Sequence, residues 1–92
     1  MARLLVTAEV EDRTAWESSF RTHGDLFRGF GFKSPISIGT NENNEVAVLV
    51  SVDDAQAAMA TLSTPENVEA MEADGVKRET VRALILDKDF SF

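Results

Sequence analysis

One tryptophan and one histidine occur in the chain, and both fall within WESSFRTHGD, Trp16 to Asp25. Phe20, His23 and Phe27 follow Trp16 at offsets of 4, 7 and 11 residues. At about 100° per residue these offsets fall at about 40°, −20° and 20° around a helix. Trp16, Phe20, His23 and Phe27 therefore share one helical face, provided Gly24 does not interrupt it. Glu17, Arg21 and Asp25 fall on the opposite side, which turns the aromatic face toward a core. A neutral imidazole among such rings could abstract a proton from an acidic phenol or from a carbon beside a carbonyl. The aromatic rings would stack on the substrate and exclude water. His23 is thus the candidate catalytic base, and Trp16, Phe20, His23 and Phe27 are the candidate ligand-binding residues. The plainer role is a core histidine satisfied by one acceptor, and spacing alone leaves both readings open.

Other chemistries find less support. The chain has no cysteine, which removes disulfide scaffolds, thiolate metal sites and cysteine nucleophiles. A single histidine leaves too few ligands for a transition-metal site, even with Asp25 or Glu9 as helpers. Ser18, Ser19 and Asp25 lie near His23 in sequence but form no identifiable nucleophile set. GFGF lacks the third glycine and the preceding strand of a dinucleotide loop, and reads as a helix-to-strand turn. Asp53-Asp54 and Glu66, Glu69 and Glu72 read as caps and solvated-face charges. Met59 and Met71 read as gap-fillers or pocket liners. No cofactor and no metal is implied.

Sixteen acidic residues against nine basic ones give a net charge of −7. The basic residues are scattered, with Lys77-Arg78 the only adjacent pair, so no stripe tracks a phosphate backbone or an anionic membrane. The apolar run in MARLLVTAEVEDR is too short for a signal-peptide core or a membrane span. A cytoplasmic, soluble protein is the expectation. Ninety-two residues make one domain, 1–92, small enough that a covering partner would add to its stability.

The elements that must hold the aromatic face follow from the pattern. ARLLVTAEV reads as a strand, and Asp12 caps a helix carrying the i,i+4 pair Glu17 and Arg21. Gly24, Gly29 and Gly31 loosen and end that helix. FKSPISIGT is a second strand, in which Pro35 demands an edge or a bulge. NENN is turn chemistry, and EVAVLVSV completes a hairpin. Asp53 with Gln56 forms a capping box for the next helical region, which breaks at STPE. Thr64 then caps a new turn with Pro65 in its first position, and Gly75 ends it. ETVRALILDKDF supplies the last strand. The predicted fold is α+β, a ferredoxin-like βαββαβ arrangement: an antiparallel four-stranded sheet with helices on one face.

Three of these strands are apolar on both sides. Leu4, Val6, Ala8 and Val10 oppose Leu5 and Thr7, while Val46, Val48, Val50 and Val52 oppose Ala47 and Leu49. In the last strand Val81, Ala83 and Ile85 oppose Leu84 and Leu86. With a period of two, one set must face away from the helices. Exposing such side chains forgoes about 1.5–3 kcal/mol each. A homodimer through the sheet face, closing an α+β barrel, is therefore predicted.

With that order in view, the chain resembles the dimeric α+β-barrel superfamily, and within it the small cyclase-like proteins related to antibiotic-biosynthesis monooxygenases. The residues carrying the resemblance are Val10-Glu11-Asp12, then Trp16, Phe20 and His23 in a W-x3-F-x2-H pattern. Asn44-Glu45-Val46, Asp53-Asp54 with Ala57-Ala58, Pro65-Glu66, Ala70-Met71 and Gly75-Val76 extend it over nearly the whole chain. The hairpin NENN without a proline, STPE, LFRGFGF and the terminal DFSF depart from the family pattern. The resemblance implies a homodimer with a pocket between helices and sheet for a small apolar or aromatic molecule, fatty-acid-like or polyketide-like. It also implies two alternatives: a cofactor-independent monooxygenase or polyketide cyclase with His23 as base, or a structural dimer module without ligand. Phe90 and Phe92 are expected to dock across the partner.

Overall fold

A computed structural model describes residues 2–92. Strand β1, Ala2–Glu9, leads into helix α1, Arg13–Phe20, and helix α2, Gly24–Gly29. Strands β2, Phe32–Thr40, and β3, Glu45–Val52, form the hairpin. Helices α3, Ala55–Thr61, and α4, Pro65–Ala73, follow, and a single 3-10 turn, Arg78–Thr80, precedes β4, Arg82–Leu86. The sheet order is β2-β3-β1-β4, with every neighbouring pair antiparallel. This is the ferredoxin-like fold predicted from the sequence.

Local chemistry explains most of the boundaries. The Thr14 N–H donates to the Asp12 side chain at 3.0 Å, so Asp12 caps α1 as expected. Thr64 caps α4, with Pro65 opening it. β2 is an edge strand whose pairing to β3 shifts between Lys33 and Ser37, which accommodates Pro35. Three expectations need correction. α3 is capped by Asp54, which accepts from the Ala57 N–H, and not by Asp53, whose carboxylate instead meets Lys33 at 3.2 Å. The last strand is shorter than ETVRALILDKDF, because Thr80 folds back to accept from the Glu9 N–H and breaks the extended run. The aromatic helix is two helices, since the chain turns at Arg21–His23 before α2 begins.

The helix-facing side of the sheet holds two buried clusters. Leu4, Val50 and Val52 pack with Ala58 of α3, while Val46 packs with Val10 and with Trp16 of α1. The opposite side carries a cross-strand row, Leu49 beside Leu5 beside Leu84, set by the register of β3, β1 and β4. Leu84 is 60% exposed in the single chain. No helix among the described residues is long and apolar enough to cross a membrane.

Candidate functional site

The two buried clusters do not meet, and a cavity of about 80 Å³ lies between them. Trp16, Phe20, His23 and Phe27 all line it, together with aliphatic side chains of β1 and β3 and Met71 of α4. The four predicted residues are therefore brought together, although one straight helix does not do it. Trp16 and Phe20 ring centroids lie 4.9 Å apart, as do those of Phe20 and Phe27. His23 meets the edge of Phe27 at 6.0 Å. His23 sits at the start of α2, with its carbonyl accepting from the Phe27 N–H. The turn before it folds the second half of the aromatic run back over the cavity.

The chain also supplies polar groups that spacing did not reveal. Nε2 of His23 lies 3.0 Å from Oδ2 of Asp74, whose side chain is 7% exposed against 23% for the imidazole. A carboxylate only accepts, so an ionised Asp74 draws the ring hydrogen to Nε2. In the neutral imidazole that leaves the Nδ1 lone pair free, and Nδ1 has no protein partner among the described residues. Asp25, the acid closer in sequence, is instead solvent-exposed and paired with Arg28. Asn67 of α4 is the second polar group: 8% exposed, lining the cavity, with no partner for its side chain among the described residues. Asn67 and Asp74 are seven residues apart, so they share one face of α4, with Ala70 and Met71 between them.

Asp74 is held in place by the way α4 ends. The Gly75 N–H donates to the Glu72 carbonyl and the Val76 N–H to the Met71 carbonyl, the paired bonds of a Schellman cap. Gly75 takes φ +79°, which a side chain would resist. Its carbonyl accepts from the Glu11 N–H at 3.0 Å, and Val76 bridges Val10. The end of α4 is thus stitched to the segment that launches α1. His23 and Asp74 are fixed relative to one another through that seam. The capping sequence is legible beforehand, but the partner it presents is not.

No family model matches the sequence. No curated protein matches it either. Solved structures do match over almost the full chain. SnoaB from Streptomyces nogalater, a cofactor-independent oxygenase, is 16% identical, covers 98% of this chain and 94% of its own, and superposes with a TM-score of 0.69. An antibiotic biosynthesis monooxygenase, 7% identical, covers 97% of this chain and 99% of its own at a TM-score of 0.67. A dimeric protein of unknown function with a ferredoxin-like fold from Bacteroides fragilis is 15% identical, covers 95% of each chain and has a TM-score of 0.63. At such identities the likeness establishes the fold.

Proposed function

We propose that two copies of this chain pair through their outer sheet faces, and that each binds a small, largely apolar molecule between its helices and sheet. The observation that carries the ligand site is the combination of an aromatic cavity with three convergent polar groups, His23, Asp74 and Asn67. A close-packed structural core has few voids larger than a water molecule. Ligand pockets run to about 300–1,000 Å³, so the cavity of about 80 Å³ is a closed state whose aromatic wall must part on binding. Pairing is supported by the Leu49–Leu5–Leu84 row, and the Bacteroides fragilis protein of the same fold is itself dimeric. The cytoplasm is the proposed location, with which a chain that has no disulfide to form is compatible.

Trp16 lines the cavity and reports on it directly. Its fluorescence should shift or quench on titration with fatty acids or fused-ring phenols in the micromolar range. Indifference to a broad panel of both would leave a dimer module without ligand.

A second reading, a cofactor-independent monooxygenase or cyclase, is favoured by the His23–Asp74 pair. Nδ1 would take a proton from an acidic phenol or activated carbon, and Asp74 would stabilise the imidazolium that forms. Asn67, which also lines the cavity, would donate to a substrate oxygen on which charge develops. Replacing His23 by Ala separates the readings: an enzyme loses turnover, whereas a binder retains most of its affinity.

A further inference from the structure

We infer that the ligand is an anionic amphiphile, a carboxylate on an apolar body, with its charged end held at the mouth of the cavity by Arg21 and Arg28. The inference rests on the ligand-site reading above and adds the substrate class. A groove of about 330 Å³ runs between the α1–α2 turn and β2, outside the aromatic wall. Phe20, Phe27, Phe32 and Ile36 line both the groove and the inner cavity, so these side chains form a shared wall. Phe27 and Phe32 stack across it at 5.9 Å. Movement of those rings would merge the two spaces into one of ordinary ligand size.

Charge along this path is ordered. Arg21, Arg28 and Lys33 line the groove and no acidic residue does, in a chain whose net charge is −7. Lys33 pairs with Asp53 in an exposed contact of its own, and the two guanidinium groups are taken as the anion partners for their planar donor geometry. The Arg28 guanidinium lies over Gly24, 3.9 Å from where a Cβ would stand there. Arg21 is bonded to Glu17, and Arg28 to Asp25, in solvent-exposed pairs. Such pairs are weak, so either arginine can be drawn to a ligand carboxylate at little cost. Guanidinium also suits a carboxylate geometrically, through two parallel N–H donors. The inner end of the path carries the opposite sign, because Asp74 faces the cavity. A ligand carboxylate is repelled there and attracted at the mouth, which fixes the orientation as apolar end first.

The test is titration of Trp16 fluorescence with decanoate and with 1-decanol, for the native chain and for Arg21→Ala/Arg28→Ala. Both arginine side chains are exposed, so the variant retains its fold, checked by circular dichroism. In the native protein both ligands bind. The ratio of the decanoate Kd to the decanol Kd rises about tenfold in the variant, as loss of a charge-assisted contact implies, and Arg21→Lys/Arg28→Lys restores part of it. Equal ratios in native and variant protein, or decanol binding without decanoate, would overturn the head-group site and leave the cavity reading intact. No response to either ligand in the native protein would overturn both.

Discussion

His23 and Asp74 meet at 3.0 Å across 51 residues of sequence, one at the start of α2 and the other at the end of α4. If the carboxylate sets the tautomer, the neutral form of the imidazole carries its hydrogen on Nε2. Long-range proton–nitrogen NMR correlations distinguish the two tautomers directly. Asp74→Ala should remove the bias and cost about 1 kcal/mol of stability, the usual net worth of one part-buried hydrogen bond. An unchanged Nε2–H population in that variant would deny Asp74 its orienting role.

Trp16 is 3% exposed and packs between Val10 and Val46 while also lining the cavity. Trp16→Ala should therefore cost about 3–5 kcal/mol, the range for truncating a buried large side chain. That is a large share of the 5–15 kcal/mol typical of a whole domain. Urea denaturation followed by circular dichroism measures it. A loss below about 1 kcal/mol would mean that the ring is not part of the core.

The row formed by Leu49, Leu5 and Leu84 faces away from all four helices. Leu49→Lys places a charge at the centre of that face without touching the inner clusters. Sedimentation equilibrium at tens of micromolar should find the native chain as a pair and this variant as single chains, still folded. A native protein that sediments as a well-folded single chain would refute sheet-face pairing.

Much of this organisation is written locally in the chain. Strand period, the capping residues Asp12 and Thr64, and the bulge at Pro35 each follow from a few neighbouring residues, so the sheet and its helices are legible. The grouping of Trp16, Phe20, His23 and Phe27 is legible too, although periodicity assumes one helix where the backbone turns at Arg21–His23. The rings still meet because the turn folds α2 back along the same side of the sheet. Asp53 and Asp54 are indistinguishable as caps from composition, and only the direction of the chain leaving β3 decides between them. Asp74 and Asn67 were out of reach for a different reason. Their significance depends on contacts between distant segments, which leave no periodic trace.

The terminal aromatics test whether pairing extends beyond the sheet. Phe90 and Phe92 stack on one another at 5.7 Å, yet Phe90 is 84% exposed and Phe92 fully so. The two exposed rings follow β4, whose Leu84 lies in the outer row. Removing residues 89–92 should weaken pairing by tenfold or more, about 1.4 kcal/mol, while single-chain unfolding stays within about 0.5 kcal/mol, as for a surface change. Sedimentation at several concentrations reads the first quantity and denaturation of the Leu49→Lys background reads the second. Equal association of full-length and shortened chains would assign the tail no part in the interface.

Asn44 carries the last prediction, because one residue there ties the β2–β3 turn to the segment that starts α1. It adopts φ 58°, in the left-handed region that asparagine tolerates. Its side-chain oxygen accepts from the Arg13 N–H at 3.1 Å, its amide donates to the Glu11 carbonyl at 3.3 Å, and its own carbonyl accepts from the Val10 N–H at 2.9 Å. The β2–β3 turn is thereby tied to the start of α1, and so to the position of Trp16. Asn44→Gly keeps the backbone conformation and loses the two side-chain bonds, which should cost about 1–2 kcal/mol. Asn44→Ala loses the same bonds and adds strain at positive φ, so it should be worse by about another 1 kcal/mol. The order in thermal unfolding is the decisive reading: native above glycine means that the side-chain bonds act there, and glycine above alanine means that backbone strain does. Equal midpoints would reduce Asn44 to its hydrogen bonds.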